Sequence, residues 1–303
     1  DFLQRAVGLT CEIDGQNTRS ATLSSIIDEA SILAAQQGDL DLLLRMRVWS
    51  SSLLENSLAA YAMANIVDGI IKYAIDKQST EALEEAYTIT REIADPHLRN
   101  QLFERIAECF VKIGCSFLIN PRYPAHDADL NSALRPFERG LEIISQDLLT
   151  PQVSLKIAGI IDIIISFSRS SSNPDFIIPL AMYAVRIENT FERDAMMSRI
   201  LSNLSEDLIL PDSTDPYEVL AYLLQRNEGV KTYPGITSLI SQIIHRIVNP
   251  FAKLTGLCSL LDAVIKSGDL ESSGKIQTEI CESLETLPAE YQKILVLSDL
   301  ATV

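Results

Sequence analysis

Ile89-Thr90-Arg91-Glu92-Ile93-Ala94-Asp95-Pro96-His97-Leu98-Arg99 is the stretch whose reading decides the fold. Ile89 and Ile93 close one apolar stripe. The Asp95 carboxylate can accept an orphan amide of a new first turn. Pro96 suits the first helical position, because its missing amide has no partner there anyway. Leu102, Ile106 and Phe110 then start a second stripe at helical spacing, and Gly114 follows. The same order returns as Ile243, Ile247, Asn249-Pro250, Lys253, Gly256, Leu260, Val264 and Gly268. A recurring unit that stops one helix, caps the next and opens another apolar face points to an array of helical hairpins.

Working outward, prolines also follow capping residues at Thr150-Pro151, Asn173-Pro174 and Asp215-Pro216. Gly38-Asp39 and Gly268-Asp269 each end one helix and cap the next. These signals predict helices over 21–37, 39–49, 52–75, 79–94, 96–113, 130–147, 151–169, 174–189, 191–208, 215–227, 235–248, 250–267, 269–286 and 288–302. Aligned by stripe, the junction residues Pro96, Pro151, Thr190, Pro250 and Pro288 stand 55, 39, 60 and 38 residues apart. A hairpin of roughly 38–40 residues with two insertions produces that spacing. The insertions fall near 115–131, which holds Asn120-Pro121 and Tyr123-Pro124, and near 210–235, which holds a short helix. The stripes agree: Leu83, Ala86, Ile89, Ile93 in one first helix, and Ile157, Ile161, Ile165 in one second helix.

Residues 1–18 read differently. Val7, Leu9, Cys11 and Ile13 alternate before the turn Asp14-Gly15, which predicts an N-terminal extension that is strand-like or disordered. Residues 19–303 are expected to form one continuous helical domain.

The stretch Ala82-Leu83-Glu84-Glu85-Ala86-Tyr87-Thr88-Ile89, with Asp95-Pro96-His97-Leu98-Arg99 and Ile106-Ala107 after it, resembles α/α-superhelical repeat proteins of the TPR-like and HEAT-like kind. It is similar to microbial repeat proteins built on A-L-E-x-A, D-P-x-x-R and I-A units. The resemblance covers about 30 residues. It departs from the tetratricopeptide consensus, because the period exceeds 34 residues and Trp49 lacks the Trp-x-x-Leu-Gly setting. It implies an all-α, α-solenoid architecture of antiparallel hairpins winding into a right-handed superhelix. It also implies a scaffolding or peptide-binding role.

Composition narrows the function classes. The 303 residues carry a net charge of −16, and a uniformly acidic chain repels phosphate backbones, which argues against a nucleic-acid partner. The densest basic stretch, Arg45-Met46-Arg47, is a single helical turn and reads as a solvated face. The five cysteines, Cys11, Cys109, Cys115, Cys258 and Cys281, are odd in number and widely spaced. That pattern fits reduced thiols and predicts a cytoplasmic setting. Cys109, Cys258 and Cys281 fall on apolar stripes. The greasiest run, Ile157 to Phe167, contains Asp162 and is too short to span a bilayer, so no membrane partner is expected.

Candidate chemistry is sparse. No Gly-x-Ser-x-Gly elbow, Walker loop or Gly-x-Gly-x-x-Gly occurs, and an Asp-Asp diphosphate site is missing too. No cofactor, metal or catalytic residue is therefore assigned, and the chain is read as non-enzymatic. His126 lies beside Asp127 and Asp129 in the 115–131 insertion, a sparse basis for a metal site. The basic residue three past the junction recurs as Arg99, Arg193 and Lys253. These three either line a concave face and clamp a partner, or pair with a nearby acid such as Glu92 or Glu188 or with the adjacent junction and hold neighbouring units in register. With Arg122, Tyr123 and His126 of the inserted loop, they form the expected partner-binding set. The expected partner is a protein or peptide. An enzyme or small-ligand binder with a pocket formed by the 115–131 insertion, and a homo-oligomer such as a homodimer through an array end, are the alternatives. Gly159 and Gly256, inside second helices, are expected where helices approach closely.

Overall fold

The structure is a computed structural model of the chain. It describes residues 2–50, 53, 56–119, 127–148, 153–171, 173–204, 216–226, 236–267, 270–285, 287, 293 and 296. Every regular element among these residues is helical. In order they are α1 (Phe2–Thr10), α2 (Gln16–Gln37), α3 (Leu40–Ser50), α4 (Asn56–Lys77), α5 (Thr80–Glu92), α6 (Pro96–Ile119), α7 (Asp127–Asp147) and α8 (Val153–Ser171). A 3-10 turn (Pro174–Phe176) leads into α9 (Ile177–Ala184), α10 (Thr190–Leu204), α11 (Pro216–Arg226), α12 (Ile236–Ile244), α13 (Pro250–Ser267) and α14 (Leu270–Leu284). The contacts divide into two compact units, Asp1–Ser116 with Arg135–Lys156 and Phe117–Leu134 with Ile157–Val303.

The first unit is built on a turn used twice. At the end of α2, Gly38 adopts φ +67° and the Ala34 carbonyl accepts the Asp39 amide at 2.9 Å. The Asp39 carboxylate then accepts the Leu42 amide at 3.0 Å and caps α3. Forty positions on, Gln78 takes φ +52° and the Ala74 carbonyl accepts the Ser79 amide at 2.9 Å. The Ser79 hydroxyl accepts the Ala82 amide at 3.2 Å and caps α5. Each hairpin therefore closes by the same left-handed turn and N-cap. α2 packs on α3 and on α4, and α4 packs on α5. Contact with the next helix and the next but one is how stacked hairpins bury faces that none could hide alone. Ile27, Leu43, Ile66, Ile70, Leu83 and Ile89 fill that core.

The decisive junction also recurs in detail. Asp95 Oδ1 accepts the amides of His97 (2.8 Å) and Leu98 (3.1 Å). Asn189 Oδ1 accepts Glu192 at 3.3 Å. Asn249 Oδ1 accepts Phe251 (3.0 Å) and Ala252 (3.3 Å). Just upstream, the amides of Ile93, Ile187 and Ile247 each close a tight turn on the carbonyl three residues back. All three isoleucines are buried.

Polar rungs give the spacing of stacked helices. Asn65 on α4 donates to Asp28 on α2 at 2.7 Å, 37 residues apart. Arg105 on α6 pairs with Asp68 on α4, again 37 apart. Lys156 at the start of α8 reaches Glu104 on α6 at 2.6 Å. In the second unit Arg199 on α10 lies 2.7 Å from Asp162 on α8, a charge contact in the same 37-residue register. Its angle is not that of a hydrogen bond, since Asp162 Oδ1 has no aligned donor. Pairs this exposed contribute little stability each. The 37-residue offset of the Asn65, Arg105 and Arg199 rungs reports a repeat close to the spacing read from the junctions, while the Lys156 rung is longer because it spans the 115–131 insertion.

In the second unit, α11 packs on α10 and α12 and on the next-but-one helices α9 and α13, and α13 packs on α12 and α14. Tyr183, Ile200, Leu220, Leu224, Ile243 and Ile280 are buried there.

The structure corrects several expectations. Residues 2–10 form a helix, not a strand. Leu3, Ala6, Val7 and Thr10 are its least exposed positions, a spacing of three and four that outweighs the alternation of Val7, Leu9 and Cys11. α6 does not stop before Gly114 but runs to Ile119, so the 115–131 insertion is helical at both described ends. α9 is short and buried all round instead of amphipathic over 174–189. Gly256 is close-packed, its Cβ position 3.3 Å from Ile244, whereas Gly159 faces open space. Cys281 is exposed, because Ile276 and Ile280 hold the buried face of α14. The short helix expected in 210–235 is α11.

Candidate functional site

The Asp39 cap fixes the phase of α3. Leu43, Met46 and Ser50 turn into the core, which leaves Leu44, Arg47 and Val48 on the flank. On α5 the Ser79 cap sends Leu83, Ala86 and Ile89 inward. Glu85 and Glu92, seven residues apart, then share an outer face two turns apart. Between these flanks, with Met63 of α4 at its base, lies a groove of about 370 Å³ lined by Leu44, Arg47, Val48, Met63, Glu85 and Glu92. That volume is at the small end of ligand sites. Val48 is 66% exposed. This leaves an aliphatic side chain open to solvent beside two carboxylates.

Arg47 closes one end of the groove. Its Nε donates to Glu92 Oε2 at 3.2 Å and its Nη2 contacts the other carboxylate oxygen. The pair links helices 45 residues apart in sequence. Among the described residues Glu85 makes no hydrogen bond or ion pair. On a single helix face the groove therefore carries one carboxylate paired with a cation and one exposed carboxylate that has no protein partner among the described residues.

Two other polar clusters lock helices together. In the first unit Arg139 of α7 holds Glu84 of α5 through two bonds, Nε–Oε1 at 2.7 Å and Nη2–Oε2 at 2.9 Å. Its third arm reaches Glu142 at 2.7 Å, and the guanidinium lies 4.5 Å over the Tyr87 ring. Tyr87 donates to Asp147 at 2.8 Å. Burial first, and the Asp147 bond second, push the Tyr87 hydroxyl above its ordinary value. The Glu84 bond chiefly holds the Arg139 proton more tightly.

The second cluster surrounds the end of α9. Arg193 donates to the Ile187 carbonyl at 3.1 Å and to the Tyr217 hydroxyl at 2.6 Å. Tyr217 donates to Asp194, and Arg246 donates to the Val185 carbonyl at 2.9 Å. Both arginines thus satisfy carbonyls left over where α9 stops. Burial, with the charge of Arg193 beside it, lowers the Arg246 value.

The expected partner-binding residues are placed as follows. Arg99 donates to the Ile93 carbonyl at 3.2 Å, the counterpart of the bond from Arg193 to Ile187. Lys253 lies 3.5 Å from Glu279. Arg99 and Arg193 are thus engaged at their own junctions, Lys253 reaches across to α14, and the acid Glu92 goes to Arg47. Arg122, Tyr123 and His126 lie outside the described residues. The groove was missed by sequence reading. Its signal is faint: Leu44 and Val48 sit four apart, off the core stripe of α3, in the turn read as a solvated basic face.

One trio invites a catalytic reading. Ser241 Oγ lies 3.3 Å from His245 Nδ1, and His245 Nε2 lies 2.8 Å from Glu279. The same Nδ1, however, is 2.6 Å from the Ser241 backbone carbonyl. A nitrogen that donates to a carbonyl has no lone pair to take a serine proton. This His245 therefore bridges the end of α12 to α14 and does not activate Ser241. Among the described residues no cluster of three or more His, Cys, Asp or Glu side chains could hold a metal ion.

Cys109 and Cys115 are buried, and burial raises their thiols to about 11 and about 12. They are packing residues. Within α4 the segment Ser57–Lys77 is long and apolar enough to cross a membrane by length and composition, and half of its apolar window is buried inside the fold.

No family model matches the chain, and no curated protein matches it. Solved structures give loose likenesses. A circular tandem repeat protein with novel repeat topology aligns over 99% of this chain and 77% of its own, at 13% identity and a TM-score of 0.31. Ton1535 from Thermococcus onnurineus aligns over 99% and 95%, at 13% identity and 0.23. The de novo designed helical repeat protein DHR64 aligns over 78% and 91%, at 14% identity and 0.17. At such scores these likenesses carry no argument about function, and the repeat character rests on the recurring turns, junctions and rungs of this chain itself.

Proposed function

We propose that this chain is a non-enzymatic interaction module that holds a protein or peptide on the flank of its stacked hairpins. The observation that carries the reading is the groove between α3 and α5. It has an open aliphatic wall at Val48 and carboxylates opposite. Interfaces place such apolar surface at the centre of a polar rim. Arg47 ties the α3 wall to Glu92 of the α5 wall, and Arg139 holds α5 through Glu84, so the surface is held ready for a partner rather than assembled on contact. No cofactor is assigned, and reduced thiols suit a cytoplasmic setting. An acidic chain favours a neutral or basic partner over nucleic acid or an anionic membrane.

The test is affinity capture from the native lysate with the wild-type chain and with Val48→Glu in parallel. Val48 is exposed, so the variant should keep its thermal unfolding midpoint. The reading expects a set of captured proteins that the variant loses. Capture of the same set by both, or of nothing above background by either, overturns it.

A further inference from the structure

We propose that the groove between α3 and α5 is an anchor for an arginine side chain preceded by an aliphatic residue in a partner peptide. The inference deepens the interaction reading and rests on it. Three observations carry it. First, the wall of α5 already holds one guanidinium: Arg47 lies on Glu92 through both oxygens. The groove therefore accepts a planar cation against that helix face. Secondly, Glu85 repeats the Glu92 position two turns earlier, and among the described residues it has no cation. Thirdly, Leu44, Val48 and Met63 give the space an apolar side. That side suits the methylene stem of arginine and an aliphatic neighbour, while the guanidinium reaches the carboxylate.

Size and charge select this occupant. About 370 Å³ holds one or two side chains, not a whole helix. With Glu92 paired to Arg47, the charge left in the groove is that of Glu85, and a partner carboxylate would be repelled by it. Arginine suits the site better than lysine, because its fork matches a carboxylate through two bonds. Arg47 becomes the end wall of the site and fixes which way the peptide enters. It blocks the Glu92 end, so the incoming cation is directed to Glu85.

The experiment uses the full chain labelled with methyl-13C methionine. Met63 lines the groove, while Met46, Met182, Met196 and Met197 are buried. Titration with N-acetyl-leucyl-arginine amide should shift the Met63 methyl saturably in the millimolar range and leave the other four in place. N-acetyl-leucyl-glutamate amide should not move it. Glu85→Gln should weaken the arginine dipeptide by about threefold or more, the scale of a half-exposed ion pair. No Met63 shift, equal shifts by both dipeptides, or an unchanged titration in Glu85→Gln overturns the anchor. If any of these occurs while capture remains sensitive to Val48→Glu, the arginine anchor fails and the interaction reading stands. If capture itself is insensitive to Val48→Glu, the interaction reading fails on its own test.

Discussion

Gln78 occupies the left-handed turn that Gly38 occupies forty positions earlier. A side chain there strains against its own backbone, and glycine does not. Gln78→Gly should therefore stabilise the chain by about 0.5–1 kcal/mol, less than the full strain because glycine also loosens the unfolded chain. Urea midpoints would read it, and a destabilised variant would count against the shared turn. The caps act in the opposite direction. Asp95→Ala strips two amides of their acceptor and should cost about 1 kcal/mol, while Asp95→Asn should recover most of that. If the two variants are equally stable, the cap is not what starts α6. The thiols add a pH dependence. Cys109 and Cys115 titrate at about 11 and about 12 when folded, against 9.0 for an unperturbed thiol. Both folded values are raised, so this stability is intact below about pH 9 and is lost as pH climbs towards them. Each thiol should then lower stability by about 1.4 kcal/mol per pH unit above 9. Replacing Cys115 with alanine should flatten that slope by one proton, and an unchanged slope would refute the assignment.

At the scale of elements, the approach of α6 and α7 depends on a missing side chain. A Cβ at Gly114 would lie 2.6 Å from the buried Phe137 ring. Gly114→Ala should cost about 1–3 kcal/mol through overpacking. Gly159→Ala is the counterpart within α8, where a Cβ meets nothing within 4 Å. It should stabilise by up to about 1 kcal/mol, the intrinsic preference of a helix for alanine. Thermal midpoints moving in opposite directions would establish the contrast; a loss in both would place Gly159 at a contact as well. These glycines also show where sequence reading stops. Both interrupt apolar helices, and nothing in the chain says which faces a neighbour. α1 makes the same point: Val7, Leu9 and Cys11 fit a strand template, yet Leu3, Ala6, Val7 and Thr10 fit a helix, and only packing against α2 decides between them.

For the molecule as a whole, 41 acidic residues against 25 basic ones leave a net self-repulsion that the described ion pairs do not cancel. Added sodium chloride should raise the thermal midpoint by screening it. A midpoint that falls with salt would mean the polar rungs outweigh the surplus charge. The caps, the proline starts and the stripes were legible because they act within one turn of helix, where adjacent residues set the physics. The left-handed turn at Gln78 was hidden because glutamine does not advertise that backbone, and its partner at Gly38 was legible because glycine does. The sequence by itself determined an all-helical chain of capped hairpins with a period near 38–40 residues, since local hydrogen bonds and apolar spacing suffice for that. Only the tertiary structure decided that Lys253 reaches Glu279, that Arg47 crosses 45 residues to Glu92, and that Val48 stays open beside Glu85. Those outcomes depend on which distant helix arrives within a few ångströms, and no local rule carries that distance.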